Sequence, residues 1–179
     1  MDEMVFLSLG SDLGDREAVL KDALRSIAHY PRTQITALSS LYETEPVAVN
    51  QEQDARTFFN LCCAVVTGLD PFSLLSLIHE TEQDLGRTLQ DRAALYARRR
   101  GQAVPRTIDI DILLYGERIL FTRALVIPHP LLHERRFVLM PLAEIAGSTV
   151  HPLFRLTVRE LNDKNGDRHF VKTLRQFTV

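Results

Sequence analysis

Apolar residues at 4–9 form a short run closed by Gly10, a pattern that predicts a strand. Gly10-Ser11-Asp12-Leu13-Gly14 then predicts a turn, after which Asp15 caps a helix with Glu17 in its first turn. Val19, Leu20, Ala23, Leu24, Ile27 and Ala28 recur at helical spacing and give that helix one buried face, and Pro31 stops it. Residues 33–42, rich in Thr, Ile, Leu and Ser, predict a second strand. The polar stretch 43–56, which contains Pro46, is long for a connection, and long loops in compact domains are often functional. Residues 57–67 are a continuous apolar strand pattern. Asp70-Pro71 supplies an N-cap and a first helical residue, Leu74, Leu75, Leu77, Ile78 and Leu85 the buried face, and Gly86 the stop.

The second half is less regular. Residues 88–104 are polar, include Arg98-Arg99-Arg100-Gly101, and predict a loop in which 93–97 form a helical turn at most. Residues 106–115 alternate cleanly as a strand and end at Gly116, with a further hairpin strand at 117–121. Pro128-His129-Pro130 predicts a rigid turn. A helix is expected over 137–146, interrupted near Pro141, with a short helix at 158–162 and an edge strand in 170–179. The leading order of strand, helix, strand, strand, helix, strand predicts an α+β fold with a ferredoxin-like βαββαβ core. Its central, mostly antiparallel sheet is flanked by helices and extended at the C-terminus, in one domain over 1–179.

Composition narrows the function classes. With 45% hydrophobic and 25% charged residues and a net charge of -2, the chain reads as a soluble globular protein, not a nucleic-acid or membrane-surface binder. No apolar stretch reaches the ~18 residues a membrane helix needs. The acidic start Met1-Asp2-Glu3 is unlike a signal or transit peptide. Cys62 and Cys63 are adjacent, so on a strand they face opposite ways and read as small buried hydrophobes, which suits a reducing compartment. A cytoplasmic protein is expected. Its basic residues are mostly Arg, with Lys only at Lys21, Lys164 and Lys172. Arg suits bidentate phosphate contacts, although a GC-rich genome produces the same bias.

Candidate chemistry concentrates in Pro105-Arg106-Thr107-Ile108-Asp109-Ile110-Asp111-Ile112-Leu113-Leu114. On a strand Asp109 and Asp111 share one face, with Ile108, Ile110 and Ile112 on the other. Their Cα atoms then lie ~6.6–6.8 Å apart. Two carboxylates so placed suit Mg²⁺, which takes one or two carboxylates together with substrate phosphates. Arg106 adds a phosphate-binding fork. On spacing alone, the same pattern is also the acidic outer face of a half-exposed strand. No Lys follows a Gly, so there is no phosphate-binding P-loop, and the protein-kinase motifs are missing too. Phosphates would fall to Arg87, Arg98–Arg100, Arg106, Arg135 or Arg136, each of which alone is an ordinary surface residue.

Pro105 to Gly116 resembles the signature strand of the 6-hydroxymethyl-7,8-dihydropterin pyrophosphokinases. Other landmarks follow in that family's order. Leu7-Ser8-Leu9-Gly10-Ser11-Asp12-Leu13-Gly14-Asp15-Arg16 resembles its opening, with Asp12 where Asn is usual. Ser39-Ser40-Leu41-Tyr42-Glu43-Thr44-Glu45-Pro46-Val47 resembles its second strand and pterin loop. Phe58-Phe59-Asn60, Leu85-Gly86-Arg87, Ile127-Pro128-His129-Pro130 and Arg135-Arg136-Phe137-Val138-Leu139-Met140-Pro141-Leu142 match later landmarks.

The resemblance implies transfer of diphosphate from Mg-ATP to a pterin alcohol in folate biosynthesis. Asp109 and Asp111 would hold two Mg²⁺ ions, and Asp111 would help deprotonate the hydroxymethyl group, with Arg87 and Arg106 beside the reacting phosphates. Asn60 would bond the amide-like edge of the pterin, Phe58 and Phe137 would sandwich its ring, and the backbone of Thr44, Glu45 and Val47 would complete the pocket. His79, Glu82, Arg87, Arg106, Ile112, His129 and Arg135 match nucleotide-side positions, and Arg100 or a neighbour would take the place of the usual loop arginine. The loops 43–56 and 88–104 would close over the substrates. A monomer is implied, with small-molecule partners only. Without the resemblance, Phe58 and Phe137 read as core and His129 as a turn histidine.

The chain departs from the family pattern at Asp12, at Phe58, where Tyr is frequent, and in further respects. It has no Trp, its approach to Pro105 is Arg100-Gly101-Gln102-Ala103-Val104 at the end of a longer loop, and Glu45 stands where Pro is common. A paralogue acting on another pterin or alcohol, or a ferredoxin-like binding module without catalysis, shares the same fold expectation.

Overall fold

Strand β1 (Glu3–Ser11) lies inside the sheet, paired antiparallel with β4 (Phe58–Thr67) on one side and β5 (Asp109–Tyr115) on the other. In this computed structural model, which describes residues 1–45, 57–87 and 107–178, β4 also pairs with β2 (Thr33–Leu38) and β3 (Leu41–Thr44). Strand β8 (Val171–Arg175) adds to β3, giving the path β5-β1-β4-β3-β8 with β2 beside β4. Every pairing is antiparallel. β6 (Leu120–Phe121) and β7 (Val126–Ile127) form a separate two-stranded ribbon.

The sheet is covered on both faces. Helices α1 (Arg16–Ala28) and α2 (Pro71–Asp84) supply Leu20, Leu24, Ile27, Leu74 and Ile78 to one apolar cluster, where they meet Leu7, Leu9, Leu61, Cys63, Ile110 and Ile112. Helices α3 (Arg136–Ala146) and α4 (Val158–Lys164) build the other, placing Val138, Leu139, Leu142, Val158 and Leu161 against Phe6, Cys62, Ala64, Leu113 and Leu114. Cys62 and Cys63 therefore sit in different clusters, as period-two alternation requires. Burial raises both thiols, Cys63 to about 12, so neither is a nucleophile at neutral pH.

The caps work as the local sequence predicts. Asp15 accepts the Ala18 N–H at 3.1 Å, and Asp70 accepts the N–H groups of Phe72 and Ser73 at 3.0 and 3.1 Å. Gly86 ends α2 at φ +92°, a left-handed conformation that glycine adopts without steric cost.

Four details differ from expectation. The strand expected over 33–42 is broken at Ser39 and Ser40, where side chains take over part of the ladder: Ser39 N still donates to Cys62 O at 2.9 Å, but Ser39 Oγ accepts the Cys62 N–H at 2.9 Å, and the Glu144 carboxylate accepts from Ser40 N at 2.9 and 3.1 Å. Gly10 does not close β1, which continues to Ser11. In place of a strand over 117–121, only Leu120 and Phe121 pair. Pro141 does not interrupt α3. A proline inside a helix costs ~3 kcal/mol. Burying Val138, Leu139, Leu142 and Ala146 outweighs that, since a large apolar side chain contributes ~1.5–3 kcal/mol.

Candidate active site

The site is built on one row of the sheet. Asp109 pairs with Gly10, Gly10 with Asn60 and Asn60 with Tyr42, across four neighbouring strands. Cross-strand partners share a face, so Asp109 and Asn60 face the α3 side of the sheet with only Gly10 between them. A Cβ at Gly10 would stand 2.6 Å from Asn60 Oδ1, so this position is kept small by contact and not by backbone conformation. Asn60 is buried, and its Nδ2 donates to Thr44 Oγ1 at 2.7 Å. That bond fixes the amide and leaves Oδ1 and one further N–H for a planar partner.

On β5 the alternation is as the sequence predicts. Ile110 and Ile112 are buried under α1 and α2, while the Asp109 and Asp111 side chains retain 18% and 35% exposure. The structure does not bring the Ile112 side chain to the carboxylates; it points into the opposite core. Arg87 follows α2 and reaches Asp109 Oδ1 from Nη1 at 2.6 Å, while the same nitrogen is paired with Glu82. Glu82 Oε1 also accepts the Ile110 N–H at 2.9 Å, on the outer side of the terminal strand β5. Burial works against the Arg87 charge, yet Asp109 and Glu82 outweigh it and hold its pKa above the usual value. Arg87 Nε is buried without a hydrogen-bond partner among the described residues.

His129 approaches from the turn after β7. Its backbone N–H donates to Leu113 O at 2.9 Å, tying the turn to β5, and its Nε2 stands 3.9 Å from Asp111 Oδ2. Nδ1 accepts the Leu131 N–H at 3.2 Å, which assigns the proton of the neutral ring to Nε2. Burial lowers the His129 pKa, opposed by Asp111 and reinforced by Arg135. The Ile127–Pro128 peptide before it is cis.

The aromatic candidates are half-buried. Phe58 opens β4, with Thr44 as its cross-strand partner. Phe137 lies in the first turn of α3, and the Arg135 guanidinium carbon is 5.7 Å from its ring centroid. His79 is half-buried on α2. Glu45 is engaged with the C-terminal segment, its Oε1 accepting the Phe170 N–H at 2.8 Å. Val47, Arg98, Arg99, Arg100 and Arg106, together with most of both expected loops, lie outside the described residues. A cavity of about 670 Å³ shares Arg135 with this region but none of its carboxylates.

Two supporting groups were not singled out in the sequence. Arg16 Nη1 donates to Thr57 Oγ1 at 2.8 Å, Thr57 Oγ1 donates to Glu43 Oε1 at 2.8 Å, and the Arg16 guanidinium stacks 3.7 Å over Phe59. This network joins the chain on either side of 46–56. Glu144 accepts from Ser40 and from the Tyr42 hydroxyl, at 2.9 Å, which joins α3 to β3. The Gly-Asp-Arg at 14–16 was a usable signal for the first; Glu144 has no local signal.

No group of three or more His, Cys, Asp or Glu side chains forms a complete metal cage among the described residues. The donors that are present fit Mg²⁺ with a phosphate ligand: two hard carboxylates two residues apart, partly exposed on one face.

Comparison with known proteins shows the family. A 2-amino-4-hydroxy-6-hydroxymethyldihydropteridine pyrophosphokinase of Bacillus subtilis (strain 168) is 39% identical over 145 residues, covering 81% of this chain and 79% of that one. One of the same name from Aquifex aeolicus (strain VF5) is 32% identical over 161 residues, covering 90% and 91%. The fold is similar to a solved wild-type Plasmodium falciparum HPPK-DHPS with SDX-DHP, at a TM-score of 0.66 and 16% identity over 92% of this chain; the chain spans only 44% of that protein. Residues 6–147 match the family model of 7,8-dihydro-6-hydroxymethylpterin-pyrophosphokinase, and the chain belongs to that family.

Proposed function

We propose that the protein transfers the diphosphate of Mg-ATP to 6-hydroxymethyl-7,8-dihydropterin, releasing AMP and the pterin diphosphate for folate biosynthesis. The observation that carries this reading is the row Asp109–Gly10–Asn60, which sets a partly exposed carboxylate and a buried amide on one face with no side chain between them, as a metal ligand and a pterin-binding amide would need.

The hydroxymethyl oxygen attacks the β-phosphorus of ATP, the bond from that phosphorus to the α–β bridging oxygen breaks, and AMP leaves. Asp111 takes the hydroxyl proton. Asp109 and Asp111 would hold two Mg²⁺ ions, which would neutralise charge on the phosphates. Asn60 orients the pterin, supported by its bond to Thr44, and Phe58 and Phe137 take the two faces of the ring. The main chain of Thr44, Glu45 and Val47 closes the pocket edge. Arg87 holds the Asp109 carboxylate in place, supported by their ion pair. Arg135, Arg106, Arg100, His79 and Glu82 serve the nucleotide side, with Ile112 offering main chain alone. His129, neutral at physiological pH, offers its Nε2–H to a phosphate oxygen. The protein supplies position and charge, which is most of what phosphoryl-type transfer needs.

The unit acts as one domain and as a monomer in the cytoplasm. No described helix is long and apolar enough to cross a membrane. A coupled assay for AMP, with ATP, Mg²⁺ and the pterin alcohol, is expected to show pterin-dependent release. Folded protein that releases no AMP would remove this reading.

A further inference from the structure

Helix α3 carries Arg135 and Phe137 at its start, yet Arg135 as N-cap makes no side-chain cap bond. The cap comes from far along the chain: Arg136 N donates to Asp167 Oδ2 at 2.9 Å. The other oxygen, Oδ1, accepts the His169 N–H at 2.9 Å and also meets the His169 ring. Asn165 extends the same attachment, since its Nδ2 donates to His133 O and its Oδ1 accepts the Asp167 N–H, both at 3.0 Å. The Asp167 side chain is 9% exposed. Burial raises its pKa, but the N–H groups of His169 and Arg136 outweigh this and lower it, so the cap is anionic and faces the positive end of α3.

The next residues grip the opposite wall. Phe170 N donates to Glu45 Oε1 at 2.8 Å, Glu45 N donates to Phe170 O at 3.2 Å, and Val171 then pairs with Thr44 as β8 begins. One short stretch, 165–171, is therefore bonded both to Thr44 and Glu45 and to the start of α3. All of it lies beyond the family match at 6–147.

We propose that residues 165–171 are a clasp that sets the distance between the two walls of the pterin pocket, with Asp167 as a positioning residue for the transfer reaction; this rests on the function proposed above. Asp167 acts through the first turn of α3, whose direction aims the Phe137 ring and the Arg135 guanidinium. Phe170 acts through Glu45 on the end of β3. Neither meets the reacting atoms.

The test compares Asp167→Ala, Asp167→Asn and Phe170→Pro with Thr157→Ala. Thr157 belongs to the capping box of α4, so its loss loosens the same C-terminal segment without touching either wall. Asp167→Ala is expected to raise KM for the pterin alcohol roughly ten-fold, the scale of a lost charged cap, with kcat reduced less than three-fold. Asp167→Asn, which keeps an oxygen for the Arg136 N–H, should recover most of that loss. Phe170→Pro removes the N–H given to Glu45 together with the exposed Phe170 ring, and should raise the same KM, which carries the test if Asp167→Ala does not fold. Thr157→Ala should lower the unfolding midpoint with KM unchanged. Folded clasp variants with wild-type KM, or a Thr157→Ala change in KM as large as theirs, would overturn the clasp. Wild-type protein without pterin-dependent AMP would instead remove the proposed function, and the clasp with it.

Discussion

Gly10 and Asn60 are cross-strand partners packed so closely that a single added carbon at Gly10 would fall 2.6 Å from the Asn60 amide oxygen. The amide has little freedom to yield, because it is buried and its nitrogen is bonded to Thr44. Gly10→Ala is therefore expected to displace Asn60, with a stability cost of ~1–3 kcal/mol for overpacking. Steady-state kinetics should show KM for the pterin raised more than KM for ATP. Equal KM values for both substrates in wild type and variant would remove Asn60 from the pterin site.

Asp109→Asn keeps the shape of the side chain and removes its charge. The reading of Asp109 as a metal ligand predicts a fall in kcat of at least ~10²-fold, comparable to losing one major electrostatic contact in a transition state. Circular dichroism should remain that of the wild type. Undiminished turnover in the folded variant at saturating Mg²⁺ contradicts the assignment.

Glu82→Gln tests what holds Arg87. Both side chains are nearly inaccessible, at 1% and 6% exposure. Gln still accepts the Ile110 N–H, so the substitution removes the charge of Glu82 and leaves that bond in place. Removing one partner of a buried pair costs ~3–5 kcal/mol; with Asp109 still beside Arg87, the lower end is expected in urea unfolding. A change under about 0.5 kcal/mol, the scale of a surface substitution, would show that Asp109 alone suffices for Arg87.

His151 gives a pH dependence independent of the site. It is buried, and its Nδ1 accepts from the N–H groups of Leu153 and Phe154, both at 3.3 Å. Burial, followed by the charge of His133, lowers its pKa below the usual 6.5. The unfolded chain then binds a proton more readily than the folded one, so this contribution is fully present above about pH 6.5 and is lost as pH falls through the folded value. Melting temperature should fall from pH 7.5 to 5.5, and His151→Asn should flatten that slope. An unchanged slope in the variant would assign the acid sensitivity to other groups.

Much of this was legible in the sequence because it is local. Period-two alternation placed Asp109 and Asp111 on one face, and Asp15, Asp70 and Gly86 marked helix ends within a turn of where they occur. What sequence reading missed depends on register or on distant partners. Nothing near Gly10 announces that Asn60 and Asp109 flank it, although an isolated glycine within a strand is a known sign of close approach. The break at Ser39 and Ser40 is stabilised by Glu144, and the start of α3 by Asp167, both remote in sequence. Pro141 stays within α3 because tertiary burial outweighs the local tendency of proline to end a helix. For Ile112, matched to the nucleotide side, the alternation that exposes Asp111 turns the side chain into the opposite core and leaves only its main chain on offer.

The most direct test of the whole account is phosphorus NMR of a single reaction containing the protein, ATP, Mg²⁺ and 6-hydroxymethyl-7,8-dihydropterin. The account predicts AMP and pterin diphosphate formed one for one, with neither formed when the pterin is omitted. ADP with a pterin monophosphate, or AMP with free pyrophosphate and no pterin product, would contradict transfer of an intact diphosphate from this site.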